Sequence, residues 1–281
     1  MPSLTKGVGI ISQIPFTGRL VDNFDRGLGH LQWDRVVSDN LGYDADRLAA
    51  ELAKLNANPK VGLIVTVGGC TTAVAALNYS AKLTKPFISL IGDKIPEFPG
   101  TITAKFWGGI NLEANVGFNA KRFTALTTDH GFLPAQVSLL CNPNGATTKY
   151  EKADWVDATH PPRGPIYEAK TLAEIQAAFA AFRQNNALSA MIISSDAFFQ
   201  DNRGAIIDEH NKSPIKFVCY PVQRYAQDTG RQLPHLKSRR HGPKLATAYH
   251  HLGEMAADII NSGTASTLKS LPSGDIEKND D

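Results

Sequence analysis

The sequence predicts an α/β fold of two lobes, each a doubly wound parallel sheet. Three observations predict it. Short, nearly continuous apolar runs, such as VGLIVTV at Val61–Val67 and FISLI at Phe87–Ile91, read as strands buried on both faces. Amphipathic helical stretches alternate with such runs along the chain, the pattern of βα units. The chain has 281 residues, more than one hydrophobic core usually serves, and the βα scheme starts again in its second half.

Gly7–Ser12 is the first strand, ending in the polar pair Ser12–Gln13. Leu20, Phe24 and Leu28 are spaced by four and predict a helix over Thr17–Leu31. Arg35–Ser38 is a short second strand. Leu48, Leu52 and Leu55 share a face of a helix over Asp44–Leu55, which Asn58–Pro59 ends. Val61–Val67 and Phe87–Ile91 are strands three and four. Between them, Gly68–Gly69 allows a tight turn, and Thr71 or Thr72 can cap the helix that follows. Thr101–Phe106 alternates as a fifth strand. The glycine pair Gly108–Gly109 then precedes a helix over Asn111–Leu126.

The second half begins with a strand at Gln136–Cys141 and a weaker helix over Thr147–Ala158. A proline-rich loop, His160–Pro165, leads to the strand Ile166–Ala169. Thr171 and Glu174 have the spacing of a capping box, with Leu172, Ile175, Phe179 and Phe182 as the apolar stripe behind it. Then come strand Leu188–Ile193, a helix over Phe198–His210 and strand Ile215–Cys219. A last helix, Leu245–Ile260, is closed by Gly263. The expected lobes are 1–125, with part of 222–281 returning to it, and 126–221. Crossings fall near 124–135 and after Pro221, strand order is of the flavodoxin type, and 270–281 is a frayed tail.

Composition narrows the function. Hydrophobic residues make up 42% and charged residues 20%, ordinary for a globular protein. A net charge of +2 supports neither nucleic-acid nor membrane-surface binding. The basic run Lys237–Lys244 reads as a solvated loop. No apolar stretch is long enough to span a bilayer. Cys70, Cys141 and Cys219 are odd in number and lie in or at the ends of buried strands, so thiols are expected rather than a disulfide framework. The eight histidines show no metal-ligand spacing, and neither a metal nor a cofactor is expected. The start MPSLTKGVGIISQIPF reads as a first strand and not a signal peptide. A cytoplasmic location is therefore expected, or a periplasmic one if the start is misread or processed.

In a parallel α/β sheet, ligands bind outside the carboxyl ends of the strands. The polar residues of this chain fall there: Ser12, Gln13, Gly69, Cys70, Thr71, Thr72, Asp93, Asn142, Ser195 and Asp196, with Phe198 as a stacking surface. Helix capping explains each one separately about as well as ligand contact does. Together they predict a ligand cleft.

The run Gly62–Ala76, the strand and aspartate of Lys85–Asp93, the Gly108–Asn111 turn and SSDAFFQDNRGAII at Ser194–Ile207 carry a family resemblance. With the helix of Lys244–Gly263, they resemble the substrate-binding proteins of ABC transporters, in the subfamily that includes tryptophan- and tyrosine-type binders. The resemblance implies the type I periplasmic-binding fold, a hinged protein that closes on a small molecule, and a transporter permease as partner. It implies Ser12, Thr71, Thr72, Asp93, Asn142 and Asp196 as cleft residues. Three departures bear on the ligand. Cys70–Thr71 stands where the family usually has a small residue and proline. Lys94–Ile95 follows Asp93 in place of proline. GRQLPHLKSRRHGPK replaces a glycine-rich stretch ending in Tyr-Gly. The reading is a solute-binding protein without catalytic chemistry, monomeric or weakly dimeric, whose ligand is an amino acid or another carboxylate. The alternative is a cofactor-independent amino-acid racemase using Cys70 and Cys219 as acid/base thiols, because TVGGCTTA is similar to the first cysteine motif of aspartate/glutamate racemases. FVCYP lacks the Cys-Thr-His of their second.

Overall fold

The computed structural model describes residues 7–29, 34–91, 103–112, 118–213, 216–221, 229–234, 238–270 and 276–280, with backbone alone at 118, 240–243 and 276–280. Two units divide the chain. The first comprises Met1–Ala114 and Leu245–Asp275, the second Asn115–Lys244 and Ile276–Asp281.

The first unit alternates β1 (Gly7–Ser12), α1 (Arg19–Leu28), β2 (Asp34–Ser38), α2 (Ala45–Ala57), β3 (Leu63–Val67), α3 (Cys70–Tyr79), β4 (Phe87–Ile91) and β5 (Phe106–Asn111). The second continues with α4 (Phe118–Thr128), β6 (Val137–Cys141), α5 (Thr148–Trp155), β7 (Ile166–Glu168), α6 (Leu172–Gln184), β8 (Ala190–Ile193), α7 (Ala197–Asp201), α8 (Arg203–Asn211), β9 (Phe217–Tyr220) and β10 (Ser238–Pro243). The chain then returns to the first unit with α9 (Leu245–Ser262) and β11 (Leu268–Ser270), and ends in the second with β12 (Ile276–Asp280).

The sheet orders are β2-β1-β3-β4-β5-β11 and β7-β6-β8-β9-β10-β12. Within each unit the first five strands follow the flavodoxin-type order. The pairings are parallel except β10 with β12. The apolar runs explain the parallel sheets. β1, β3, β4, β6, β8 and β9 are buried at every position, which needs helices on both faces. The helices dock by their predicted stripes: Leu48, Leu52 and Leu55 of α2, and Ile175, Phe179 and Phe182 of α6. Asp44 caps α2 by accepting from the N–H groups of Asp46 and Arg47, and the Thr171–Glu174 capping box closes in both directions.

Seven expectations are corrected. The fifth strand is Phe106–Asn111 and takes in the glycine pair read as a turn. A Cβ at Gly109 would lie 2.2 Å from the Ser89 carbonyl oxygen of β4, so glycine marks a close strand approach. The helix expected from Asn111 is α4, starting at Phe118, so it belongs to the second unit and the first crossing precedes 125. The return crossing follows Lys244 and not Pro221, because β10 completes the second sheet. The basic run is not a solvated loop from Ser238 onward. Arg239 of β10 is 3% exposed, pairs with Asp129 at 2.8 Å and donates to His130 Nε2 at 3.1 Å. The tail carries β12, which covers the outer edge of β10 antiparallel and satisfies backbone groups an open edge would expose. Leu172 sits at the exposed start of α6 rather than in its buried stripe, and the Phe198–His210 helix is two helices broken at Asn202.

Candidate functional site

Each unit gathers polar groups at the carboxyl edge of its sheet. In the first, β1 ends at Ser12, and the loop after β2 folds over it: the Leu41 and Gly42 N–H groups donate to the carbonyls of Ser12 and Gln13. Gly68, at φ +80°, turns the chain so closely against β1 that a Cβ there would lie 2.4 Å from Ser12 Oγ. Ser12 is 1% and Gln13 3% exposed, yet Ser12 Oγ and Gln13 Nε2 have no hydrogen-bond partner among the described residues. Burying such groups without a partner costs about 1–3 kcal/mol each.

α3 opens beside them at Cys70 with Gly69 as N-cap, at φ 125° and without a side-chain cap bond. Its ten residues present first-turn N–H groups and the positive end of the helix dipole to this edge. Thr71 and Thr72 therefore lie inside the first turn rather than capping it. The Thr72 hydroxyl is committed to the Val67 and Gly69 carbonyls, both at 2.8 Å. Phe16 stacks on Tyr249 of α9 at 5.9 Å. Burial raises the Tyr249 hydroxyl far above its ordinary pKa, against the lowering effect of a hydrogen bond with the Gly68 backbone.

The second edge is cross-linked. Asn142, just past β6, donates from Nδ2 to Asp196 Oδ1 at 2.9 Å, and its own Oδ1 accepts from the Asn144 N–H. Thr148 Oγ1 donates to the Asn142 carbonyl. Asp196 caps α7 by accepting from the Phe198 N–H at 2.9 Å. Phe198 is half-buried, 5.4 Å from the Phe199 ring. Buried Ser194 donates to the carboxylate of Glu151, itself 9% exposed. Ser195 Oγ accepts from Arg122 Nη2 at 2.9 Å. Arg122 is fully buried and also donates to Asn119 Oδ1 at 2.9 Å, the Pro221 carbonyl at 2.7 Å and the Ile193 carbonyl at 3.5 Å. One side chain thus ties α4 to the ends of β8 and β9. Asn119 Nδ2 is left buried without a partner among the described residues.

The structure therefore brings Ser12, Gln13, Gly69, Cys70, Thr71 and Thr72 to one edge, and Asn142, Ser195, Asp196 and Phe198 to the other. Asp93 lies outside the described residues. Reading strand ends could not find Arg122, Asn119 or Glu151, which project from helices. The signal for the first two is their spacing with Leu126, polar groups on a helix face that packs inward.

Sequence comparison finds no matching family model and no similar curated protein. Solved structures do match. An ABC domain from Streptococcus pneumoniae in complex with L-Trp superposes with a TM-score of 0.68 at 13% identity, covering 96% of this chain and 91% of that one. A LacI family transcriptional regulator from Enterococcus faecalis with bound ribose gives 0.66 at 11% identity, covering 98% and 97%. The fold is that of the type I periplasmic-binding-like proteins. An ABC transporter solute-binding protein from Agrobacterium vitis, bound with alpha-D-tagatopyranose, matches at 0.60 and 16% identity over 93% and 91%.

Cys219 is within β9, fully buried among Leu139, Cys141, Ile192 and Phe217. No disulfide joins the three cysteines. Burial pushes the Cys141 thiol up to about 12, with the Glu151 carboxylate adding to the shift. Among the described residues no group of three or more His, Cys, Asp or Glu could hold a metal ion, and no helix is long and apolar enough to cross a membrane.

Proposed function

We propose that this chain is a solute-binding protein of ABC-transporter type whose two units close on one small molecule, an amino acid or another carboxylate, without chemical conversion. The observation that carries the reading is the pair of buried polar atoms at the first edge. Ser12 Oγ and Gln13 Nε2 are both donors, and neither has an acceptor among the described residues. They sit beside the N–H-rich start of α3, an arrangement that favours a carboxylate oxygen. The second edge offers the opposite polarity: the Asp196 carboxylate, braced by Asn142, is suited to a ligand ammonium. An aspartate that also caps α7 is held in place before the ligand arrives, which lowers the ordering cost of binding.

A transporter permease is the partner this reading expects, with the binding protein itself a monomer or weak dimer. Native mass spectrometry of the purified protein tests the function. An adduct of small-molecule mass that leaves on collisional activation, and that carries a carboxylate when identified, supports it. Turnover of aspartate or glutamate enantiomers by the purified protein would replace it with the racemase reading.

A further inference from the structure

Asn119, in the first turn of α4, is 9% exposed, and the two halves of its side-chain amide fare differently. Oδ1 accepts from Arg122 Nη1 at 2.9 Å, three residues along the helix. A guanidinium carries donors alone, so only the carbonyl oxygen of the amide can face it. Nδ2 is thereby turned away from Arg122. It is buried with no hydrogen-bond partner among the described residues.

What Arg122 holds gives this donor its place in the second unit. The guanidinium donates to the carbonyl of Ile193, the last residue of β8, to that of Pro221, just past β9, and to Ser195 Oγ. Asn119 is thus joined through Arg122 to the carboxyl edge of the second sheet and to Ser195, the chain neighbour of Asp196. Arg163 and Arg239 of this unit also bury an Nε–H that is unmet among the described residues, but each guanidinium is paired with a carboxylate, Asp154 and Asp129.

The support of Arg122 makes no use of Nδ2. It takes an acceptor, and an aspartate in the same place would supply one with a counter-charge and no surplus donor. The amide instead keeps a neutral donor whose direction is fixed before a ligand arrives, and such a donor suits a neutral acceptor oxygen.

We propose that Asn119 is a specificity-determining residue of the second edge, donating from Nδ2 to an acceptor oxygen on the ligand's side chain. This rests on the solute-binding reading and narrows its ligand. There the carboxylate goes to the first edge and the ammonium to Asp196, so the oxygen that meets Asn119 is a third polar group. The ligand class is an amino acid whose side chain carries a neutral carbonyl or hydroxyl oxygen.

Titration calorimetry on the full chain tests it with two matched pairs of probes. L-4-Oxonorvaline and L-5-oxonorleucine carry a side-chain ketone, an acceptor that cannot donate. L-Leucine and L-homoleucine have the same outlines without that oxygen. All four share one carboxylate and one ammonium, so contacts at the first edge and at Asp196 cancel within each pair. In at least one pair the ketone should bind the unaltered chain at least tenfold more tightly than its apolar partner. Asn119→Asp keeps an acceptor for Arg122 and replaces the donor with an oxygen. It should abolish the ketone's advantage and leave the apolar partner's affinity within about threefold. Should that variant fail to fold, the comparison on the unaltered chain still decides. Probes that bind without preference for the ketone in either pair overturn the proposal and leave the solute-binding reading in place. So does a preference that Asn119→Asp retains. Binding of none of the four overturns both the proposal and the amino-acid ligand on which it rests.

Discussion

The two polar edges share a position in the fold and differ in how their polar atoms are satisfied. At the first, the strand-end side chains Ser12 and Gln13 are buried with atoms that bond to none of the described residues. At the second, Asn142, Ser194, Ser195 and Asp196 are bonded to one another's supports, through Arg122, Glu151 and the start of α7. The same sheet topology thus supports two strategies. One edge holds unmet hydrogen-bonding capacity, which the proposed ligand would meet on binding. The other holds its carboxylate and hydroxyls in hydrogen bonds, so that the ligand proposed above would order few side chains there.

Substitutions can break that contrast. The largest effect is expected at Arg122. Arg122→Met would leave Asn119 Oδ1, Ser195 Oγ and the Pro221 carbonyl without their donor, at a cost of about 3 kcal/mol or more in urea unfolding. A loss below about 1 kcal/mol would show that the guanidinium does not organise the second edge.

Acid should act on the second unit to a similar extent. His210 is 1% exposed, with Nδ1 2.7 Å from the Tyr220 hydroxyl and Nε2 2.9 Å from the Lys216 carbonyl. Nε2–H donates to the carbonyl and Nδ1 accepts from the hydroxyl only while the ring is neutral. Burial lowers its pKa from 6.5 to about 4, although the Lys216 carbonyl opposes the shift. The unfolded chain therefore takes up the proton first as pH falls. Stability is fully present above about pH 6.5 and declines toward pH 4, by about 3 kcal/mol in all. Urea midpoints across that range, compared with His210→Gln, check it. A wild-type slope no steeper than that of the substituted protein would remove His210 as the cause.

A smaller loss separates the edges more sharply. Ser194→Ala removes a charged hydrogen bond from Glu151 and should cost about 1.5–3 kcal/mol. Ser12→Ala removes an atom that bonds to none of the described residues and should leave the melting point of the ligand-free protein unchanged or slightly raised. Equal losses from the two serines would erase the distinction between the edges.

Much of the fold was legible because buried parallel strands are local in sequence. β1 and β4 fall on the predicted residues, and the stripes of α2 and α6 lie where the spacing put them, Leu172 apart. What was not legible is non-local. Gly108–Gly109 looks like a turn until Ser89 is known to lie against it. Arg239 looks solvated until Asp129, far away in sequence, supplies its counter-charge. The candidate site divides in the same way. Its strand-end residues follow from the topology of a parallel sheet. Arg122 and Glu151 reach it only through tertiary packing, and whether a strand-end hydroxyl is bonded or idle cannot be read from its type.

The account rests most on Gln13. Native mass spectrometry of Gln13→Ala beside Asn202→Ala, a control at the α7–α8 break, compares the fraction of protein carrying the co-purified small molecule with the melting point of the stripped protein. The first edge predicts an adduct reduced at least tenfold in Gln13→Ala, with a melting point no lower than that of the unaltered chain. An undiminished adduct in Gln13→Ala would contradict it.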